Sequence, residues 1–252
     1  MIHLIYIEIL KLRRNIPFLI LLALFAVSAF GICHLVKGMG EEQSQIQHIL
    51  PFTFPGAWHS VSFIMSFLLA IPALALIMHT CAEYTYRTNR QNVINGLSRD
   101  QYVTGKALLV VLLSLLSSLL AFAVTALVGD DVTTPFSFAG IKYIVYLFLH
   151  AMMFLGAALL LSLLLRRSAI TIAILAIYAL LAENVLERFT RDLGSWGHLL
   201  PLASSEHLLE LPAYRIVRAD AGLSEQVFII AAIAYVVVCY AACYWKYRRQ
   251  NL

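Results

Sequence analysis

Runs of apolar residues long enough to cross a bilayer decide what this chain can fold into. A helical span needs roughly 20 predominantly apolar residues. Such runs cover residues 16–36, 61–82, 107–129, 143–165 and 227–245, and a shorter run opens a sixth segment at 168–188. Because a backbone inside lipid must satisfy its own hydrogen bonds, each run is expected to be an α-helix. The sequence predicts an all-α integral membrane protein with six transmembrane helices in a single domain, residues 1–252.

The distribution of charge predicts the orientation of these spans. Only 13% of the residues are charged, against about 25% in soluble domains. Twelve of the 18 Lys and Arg residues fall in the loops and tails on one side of the predicted spans. The positive-inside rule assigns that side to the cytoplasm. We expect a multi-pass protein of a bacterial inner or plasma membrane with both termini cytoplasmic, and the basic balance then gives no reason to expect nucleic-acid binding.

Residues 1–15 have a pattern of their own. Glu8, Lys11 and Asn15 share one stripe at helical spacing among apolar positions. This predicts an amphipathic interfacial helix beneath the first span. Its basic residues either anchor the span at the lipid headgroups or contact a partner, and the pattern does not separate the two. A secretory signal is disfavoured because the following apolar run is too long.

A polar segment, residues 83–106, separates the second and third apolar runs. Two capping boxes can be read in it, Thr88 with Gln91 and Ser98 with Gln101. Each box predicts the start of a helix. The second of these helices is expected to continue into the third span.

The first of these helices is expected within residues 86–98 and is about two turns long. Gly96 suits the left-handed position that ends a helix. A helix this short is marginal in water, so a partner must stabilise it. Val93, Ile94 and Leu97 give it a small apolar face for such a contact.

Two further features shape the expected bundle. Pro72 lies near the middle of the second run and predicts a bend there, because proline lacks an amide and its ring clashes with the preceding turn. Residues 183–226 are too polar to span and too apolar for an open loop, which predicts external re-entrant helices. Glu183, at the start of that segment, is either a functional ionisable group or the beginning of a solvated helix.

The chemistry that most enzymes need is missing from the pattern. Gly105-Lys106 lacks both the preceding glycine and the following Ser or Thr of a phosphate-binding loop. The four cysteines fall inside predicted spans and do not form an extracellular disulfide framework. The histidines predicted on the outer side match no metal-ligand spacing. We therefore expect no catalytic residue, no metal site and no cofactor in this chain.

The segment 83–106 and the span pattern together resemble the ABC-2-type exporter permeases, the transmembrane subunits of ABC transporters for drugs, bacteriocins and lipids. The resemblance rests on Glu83 at the end of the second span, on the run Asn95-Gly96-Leu97-Ser98-Arg99, on Tyr102 and on Gly105-Lys106. It covers almost the whole chain as architecture.

The resemblance implies a non-catalytic permease subunit of an exporter for an amphipathic or hydrophobic substrate. Two copies would form the pore in the lipid, and a separate ABC ATPase subunit would bind ATP and Mg²⁺ and dock on the coupling helix, residues 86–98. The docking residues would be Arg90, Asn92, Val93, Ile94, Asn95 and Leu97, with Glu83, Thr88, Gly96, Ser98 and Arg99 in support.

The second and fifth spans of such exporters face a central cavity. The candidate lining residues here are Phe63, Phe67, Met78, Ile172, Leu175 and Tyr178, and packing or lipid contact is the alternative for each. The sequence leaves two other functions open. One is a membrane scaffold or sensor that recruits a soluble partner, and the other is an ion-coupled secondary transporter.

Overall fold

The chain folds as a bundle of helices in the computed structural model, which describes residues 2–88, 91, 97–130, 136–183, 185, 186, 189, 199–211 and 224–248. Within these residues no strand occurs beyond one isolated bridge, between Thr53 and Asp130. This confirms the predicted all-α class. The α-helices are α1 (Ile2–Arg13), α2 (Ile16–Glu42), α3 (Ser44–Ile49), α4 (Gly56–Leu68), α5 (Ala70–Thr85), α6 (Arg99–Val128), α7 (Lys142–Leu165), α8 (Ser168–Ile177), α9 (Pro201–Glu206) and α10 (Glu225–Arg248).

Five helices of the described part are long and apolar enough to cross a membrane. They are α2, α4 with α5, α6, α7 with the turn before it, and α10. The predicted sixth span, 168–188, corresponds to a shorter apolar helix, Ser168–Leu181, which runs from α8 into a π-helical turn at Tyr178–Ala182. The chain is a multi-pass membrane protein by these helices, and a sixth crossing stays a prediction.

Local sequence signals set several helix ends. The Asn15 side chain accepts a hydrogen bond from the Phe18 amide at the start of α2. The predicted capping box of Ser98 and Gln101 is present in full and begins α6, so two of the amides that a helix leaves unpaired are satisfied there. The Thr88 hydroxyl instead donates to the carbonyl of Glu83. The helix that Thr88 was expected to start lies mostly outside the described residues.

Pro72 interrupts the second span as expected. Helix α4 ends at Leu68, and α5 begins at Ala70 after a turn at Leu69. Leu68 lies four positions before Pro72. The proline ring clashes with the carbonyl of Leu68, and because proline has no amide hydrogen it cannot donate a hydrogen bond to that carbonyl. The second span therefore consists of two helices, α4 and α5, joined at Leu69.

Helix α7 lies at the centre of the bundle and contacts α4, α5, α6, α8, α9 and α10. Leu155 and Leu159 of α7 are fully buried in one half of the core, together with Leu76 and Leu109. Leu147 occupies the other half. Helices α2 and α10 are mostly exposed on the outside of the bundle, as helices that face lipid or another membrane protein would be.

The segment after α8 returns into the bundle. Helix α9 and the 3₁₀ turn His207–Leu209 bury Leu202, Ala203 and Leu208 against α7 and α10. Glu183 is buried, and its carboxylate accepts from the amides of Leu202 and Ala203 at 2.6 and 2.8 Å. It thus satisfies the first turn of a short helix 19 residues further on, a structural role that neither sequence interpretation anticipated.

Candidate functional site

A buried lysine marks one end of the bundle. Lys106 lies two turns into α6, and its side chain is completely enclosed. An unpaired ammonium in such a place would cost several kcal/mol, of order the desolvation penalty of an ion. Its partners therefore determine whether this end of the bundle is stable.

Two carboxylates from two other helices surround this ammonium. Lys106 Nζ lies 2.8 Å from Oε2 of Glu8 on α1 and 2.9 Å from Oε1 of Glu83 on α5. Lys11 closes the arrangement at 2.9 Å from Glu8 and 3.1 Å from Glu83. Two positive and two negative groups thus balance, and they join α1, α5 and α6. We call Glu8, Lys11, His79, Glu83 and Lys106 the charge cluster.

Both ring nitrogens of His79 contact polar side chains of the charge cluster and its surroundings. Asn15 Oδ1 accepts from the Phe18 amide, so the Asn15 amide nitrogen faces His79 Nδ1 at 3.2 Å. An amide N–H can only donate, which requires an unprotonated Nδ1. The other ring nitrogen, Nε2, lies 3.5 Å from Glu8 Oε2 and 3.3 Å from Lys106 Nζ, so it faces both an acceptor and a donor. His79 thus contacts Asn15, Glu8 and Lys106 and joins α5 to the helices around it.

Tyr102 completes the coordination of Glu83. Its hydroxyl donates to Glu83 Oε2 at 2.6 Å, and its ring lies 5.6 Å from Lys106 Nζ. The ring also stacks on Tyr247 at a centroid distance of 4.8 Å. Tyr247 belongs to the last helix turn of α10, so α10 packs against the charge cluster as well.

The surroundings of Glu8 favour its charged form. Burial alone would raise its pKa, but Lys106, the hydrogen bond with His79 and Lys11 outweigh burial and hold the pKa of this carboxyl well below its usual range. Glu8 therefore stays a carboxylate at any physiological pH. The contact with Lys106 is a charge-assisted hydrogen bond.

The charge cluster also contains a set of metal-ligating atoms. Glu8, His79 and Glu83 each offer one ligand atom, all within 4.8 Å of one another. Lys106 Nζ lies 2.8, 3.3 and 2.9 Å from atoms of these three residues. The ammonium thus fills the position between them, and a divalent ion there would have to displace a positive charge. These three ligand atoms therefore surround the Lys106 ammonium in place of a metal ion.

Two members of the charge cluster, Glu83 and Lys106, are the first and last residues of the polar segment 83–106. Two further contacts join the first turn of α6 to the last turn of α10. Arg248 pairs with Asp100 at 2.6 Å, and Arg99 donates to the carbonyl of Arg248 at 3.1 Å. The first turns of α6 therefore pack against α1 and α10.

The predicted docking residues lie mainly outside the described residues. Leu97 is described and is half-buried just before α6. Thr88, Ser98 and Arg99 make the contacts given above, and Glu83 belongs to the charge cluster. The others, Arg90, Asn92, Val93, Ile94, Asn95 and Gly96, are not described, and their contact with an ATPase stays a prediction.

A cavity of about 710 Å³ opens between α4, α5, α7, α8 and the segment of α9. Four of the predicted lining residues, Phe63, Phe67, Ile172 and Leu175, line it. Met78 and Tyr178 are not among its lining residues. Other residues of the lining are Ser66, Ala70, Leu74, Ile77, His150, Phe154, Ala176, Ala179, Leu180, Ala203, Glu206, His207, Leu209, Glu210 and Leu211.

The polar residues of the cavity cluster around α9. His150 is buried, and its Nδ1 lies 2.9 Å from the hydroxyl of Ser205. His207 hydrogen-bonds to Glu210 one turn further on. Sequence reasoning missed this group, since the histidines were judged by their spacing along the chain and the fold brings His150 to α9 across 55 positions.

Comparison with known proteins identifies a family and leaves its activity open. No curated protein matches the sequence. The model of a family described as a protein of unknown function, DUF2705, matches residues 47–252. This range includes the cavity and every member of the charge cluster except Glu8 and Lys11. Because the match covers most of the chain, the protein belongs to the DUF2705 family.

Proposed function

We propose that this protein is the membrane-spanning permease subunit of an ATP-driven exporter. One observation carries the proposal. Glu83 and Lys106, the first and last residues of the polar segment, meet at 2.9 Å inside the bundle. The two ends of the segment are thus fixed to each other. A docking element needs fixed ends if a partner that binds it is to move the helices of the bundle.

The charge cluster joins this loop to three helices. A force on residues 86–98 acts on α5 through Glu83 and on α6 through Lys106, and Glu8 connects both to α1. Breaking any of these buried contacts would leave an uncompensated charge, so the three helix ends are expected to move together.

The same helix that ends at Glu83 also lines the cavity. Leu74 and Ile77 of α5 face the cavity, and the interruption at Leu69 separates α5 from α4. Movement of α5 about this interruption would change the shape of the cavity while α4 stays in place. This coupling of a docking loop to a cavity is what alternating access requires.

The remaining parts of the function follow from this assignment. The ATP and Mg²⁺ belong to a separate ABC ATPase subunit, and the chain itself catalyses no reaction. Two copies of the permease form the pore in a bacterial plasma membrane. The polar segment and both termini face the cytoplasm, where the ATPase is.

Co-purification of the chain with a candidate ATPase tests the proposal. A soluble subunit with a phosphate-binding loop, encoded beside this chain, should co-purify with it, and Leu97→Asp should abolish the complex. The matched control is Ile49→Asp, which adds the same charge at an exposed site on α3. An intact complex with Leu97→Asp, or a partner without a phosphate-binding loop, would exclude this docking and favour a scaffold or sensor.

A further inference from the structure

The polar face of α1 points into the protein. Glu8 and Lys11 belong to the charge cluster, and Asn15, at the same helical spacing, contacts His79. An amphipathic helix at a membrane surface ordinarily turns its polar face to water. Here α5 and α6 supply the partners of that face, so the opposite face of α1 is the one that meets the surroundings.

The opposite face of α1 is apolar over most of its length. Tyr6 is 61% exposed, and Ile9 and Leu10 are each nearly half exposed. With about 3.6 residues per helical turn, these three side chains lie together on the side away from Glu8. Contiguous apolar side chains on a surface mark a contact with a membrane or another protein.

Two arginines continue the same face at the end of α1. Arg13 and Arg14 are exposed, and neither makes an ion pair with another residue that the structure describes. Helix α2, the first that is long and apolar enough to cross a membrane, begins two residues later at Ile16. Arginine side chains beside the end of a span extend to the lipid headgroups. Both guanidinium groups are therefore at the depth of the lipid phosphates.

From these features we propose that the open face of α1, formed by Tyr6, Ile9, Leu10, Arg13 and Arg14, binds anionic phospholipid. The three apolar side chains contact the acyl chains, and the two guanidinium groups contact the phosphates. Charge complementarity favours this occupant, because a phospholipid offers a phosphate and hydrocarbon side by side and an anionic leaflet attracts each basic residue near it. The inference holds for an exporter, a scaffold or a sensor alike.

A spin label at position 9 tests where this face lies. The full-length chain with Ile9→Cys carries a nitroxide in vesicles of equimolar phosphatidylcholine and phosphatidylglycerol, and the native cysteines are buried. Oxygen reaches a label in hydrocarbon, and a soluble nickel chelate reaches one in water. We expect the label to resemble one at Val27→Cys, largely exposed on α2, and not one at Glu41→Cys, exposed at the end of α2. Access of the nickel chelate as at position 41, or protection from both reagents by covering protein, would overturn the proposal.

Charge-removing variants test the preference for anionic lipid. A lipid that binds the folded chain raises its melting temperature in detergent, and we expect a larger rise with phosphatidylglycerol than with phosphatidylcholine. Arg13→Gln with Arg14→Gln should remove at least half of that difference. The control is Arg166→Gln with Arg167→Gln, which removes two exposed charges between α7 and α8 and should preserve it. Equal losses in the two variants would assign the preference to total charge and contradict the proposal.

Two further measurements distinguish a lipid from a free anion. Glycerol phosphate, which has the phosphate without the acyl chains, should leave the melting temperature unchanged, and a rise equal to that with phosphatidylglycerol would overturn the lipid assignment. Ile9→Ser with Leu10→Ser should reduce the rise with both lipids, and an undiminished rise would place the lipid elsewhere. If the double arginine variant does not fold, Arg14→Gln alone serves, since Arg14 lies outside α1.

Discussion

The ammonium of Lys106 lies 2.9 Å from the carboxylate of Glu83, 23 positions earlier in the chain. These two residues bound the polar segment that separates two apolar runs. Their contact, with Glu8 as the third member, joins the two ends of this segment inside the bundle.

Removing the buried ammonium should destabilise the fold strongly. Lys106→Met leaves Glu8 and Glu83 buried with only Lys11 to pair them, and breaking a buried ion pair costs about 3–5 kcal/mol. Thermal unfolding in detergent measures this change. The control is Lys142→Met, which removes a surface pair with Glu225 worth about 0–1 kcal/mol. Equal effects of the two substitutions would show that the charge cluster is not a stabilising unit.

The two stacked tyrosines at the charge cluster, Tyr102 and Tyr247, allow a matched pair of substitutions to phenylalanine. Tyr102→Phe removes a hydrogen bond to the Glu83 carboxylate and should cost about 1.5–3 kcal/mol. Tyr247→Phe should be neutral or stabilising, because its buried hydroxyl has no hydrogen-bond partner among the described residues. Both variants keep the stacked rings. Greater destabilisation by Tyr247→Phe than by Tyr102→Phe would refute the hydrogen-bond assignment.

The long helices were predictable because lipid imposes a length and an apolar composition on each span. The capping box of Ser98 and Gln101 was predictable because its two partners lie three positions apart. Glu8 and Lys106 are 98 positions apart, and no local pattern joins them. The only sequence signal of this contact was the polar stripe of Glu8, Lys11 and Asn15 on α1. We expected this helix to contact lipid headgroups or another protein, whereas its Glu8 and Lys11 pair with residues of α5 and α6 in the same chain.

The cavity was only partly predictable, because helix numbering alone does not give the rotation of each helix. Phe63, Phe67, Leu74 and Ile77 follow the spacing of one helical face across the interruption at Leu69, and all four line the cavity. Met78 is one position further and is 43% exposed on another face. The lining residues of the next helix, Ile172, Leu175, Ala176, Ala179 and Leu180, recur at helical spacing, and Tyr178 lies off the face that they share.

Acid should weaken the contribution of Glu8 to stability. Its folded pKa lies below its ordinary value of about 4.5, so the stabilisation is fully present above that value and is lost as the pH falls through the folded pKa. The difference in melting temperature between the wild type and Glu8→Gln should be constant from about pH 6 to 8 and shrink below about pH 4.5. Glu41→Gln, an exposed carboxylate, should show no such change. A difference that grows in acid would reverse the sign assigned to Glu8.

The charge cluster should transmit force without being needed for docking. Glu83→Gln with Lys106→Met removes one charge of each sign, so the fold should lose less stability than the sum of the single variants. With the proposed ATPase, this double variant should still co-purify and hydrolyse ATP, while the transport that hydrolysis drives falls. Loss of the complex would mean that these residues support docking itself, and full transport would mean that the pair transmits nothing.

Glu183 should stabilise the start of α9 from a distance. Its carboxylate accepts from the amides of Leu202 and Ala203 in the first turn of that helix. Glu183→Ala removes the acceptor, which at a helix start costs about 0.5–2 kcal/mol, and should lower the melting temperature in detergent. Glu183→Gln keeps one acceptor oxygen and should retain most of the stability. Since both variants remove the same negative charge, a lower melting temperature of the alanine variant alone assigns the effect to these hydrogen bonds. If both variants lose stability equally, Glu183 acts through its charge.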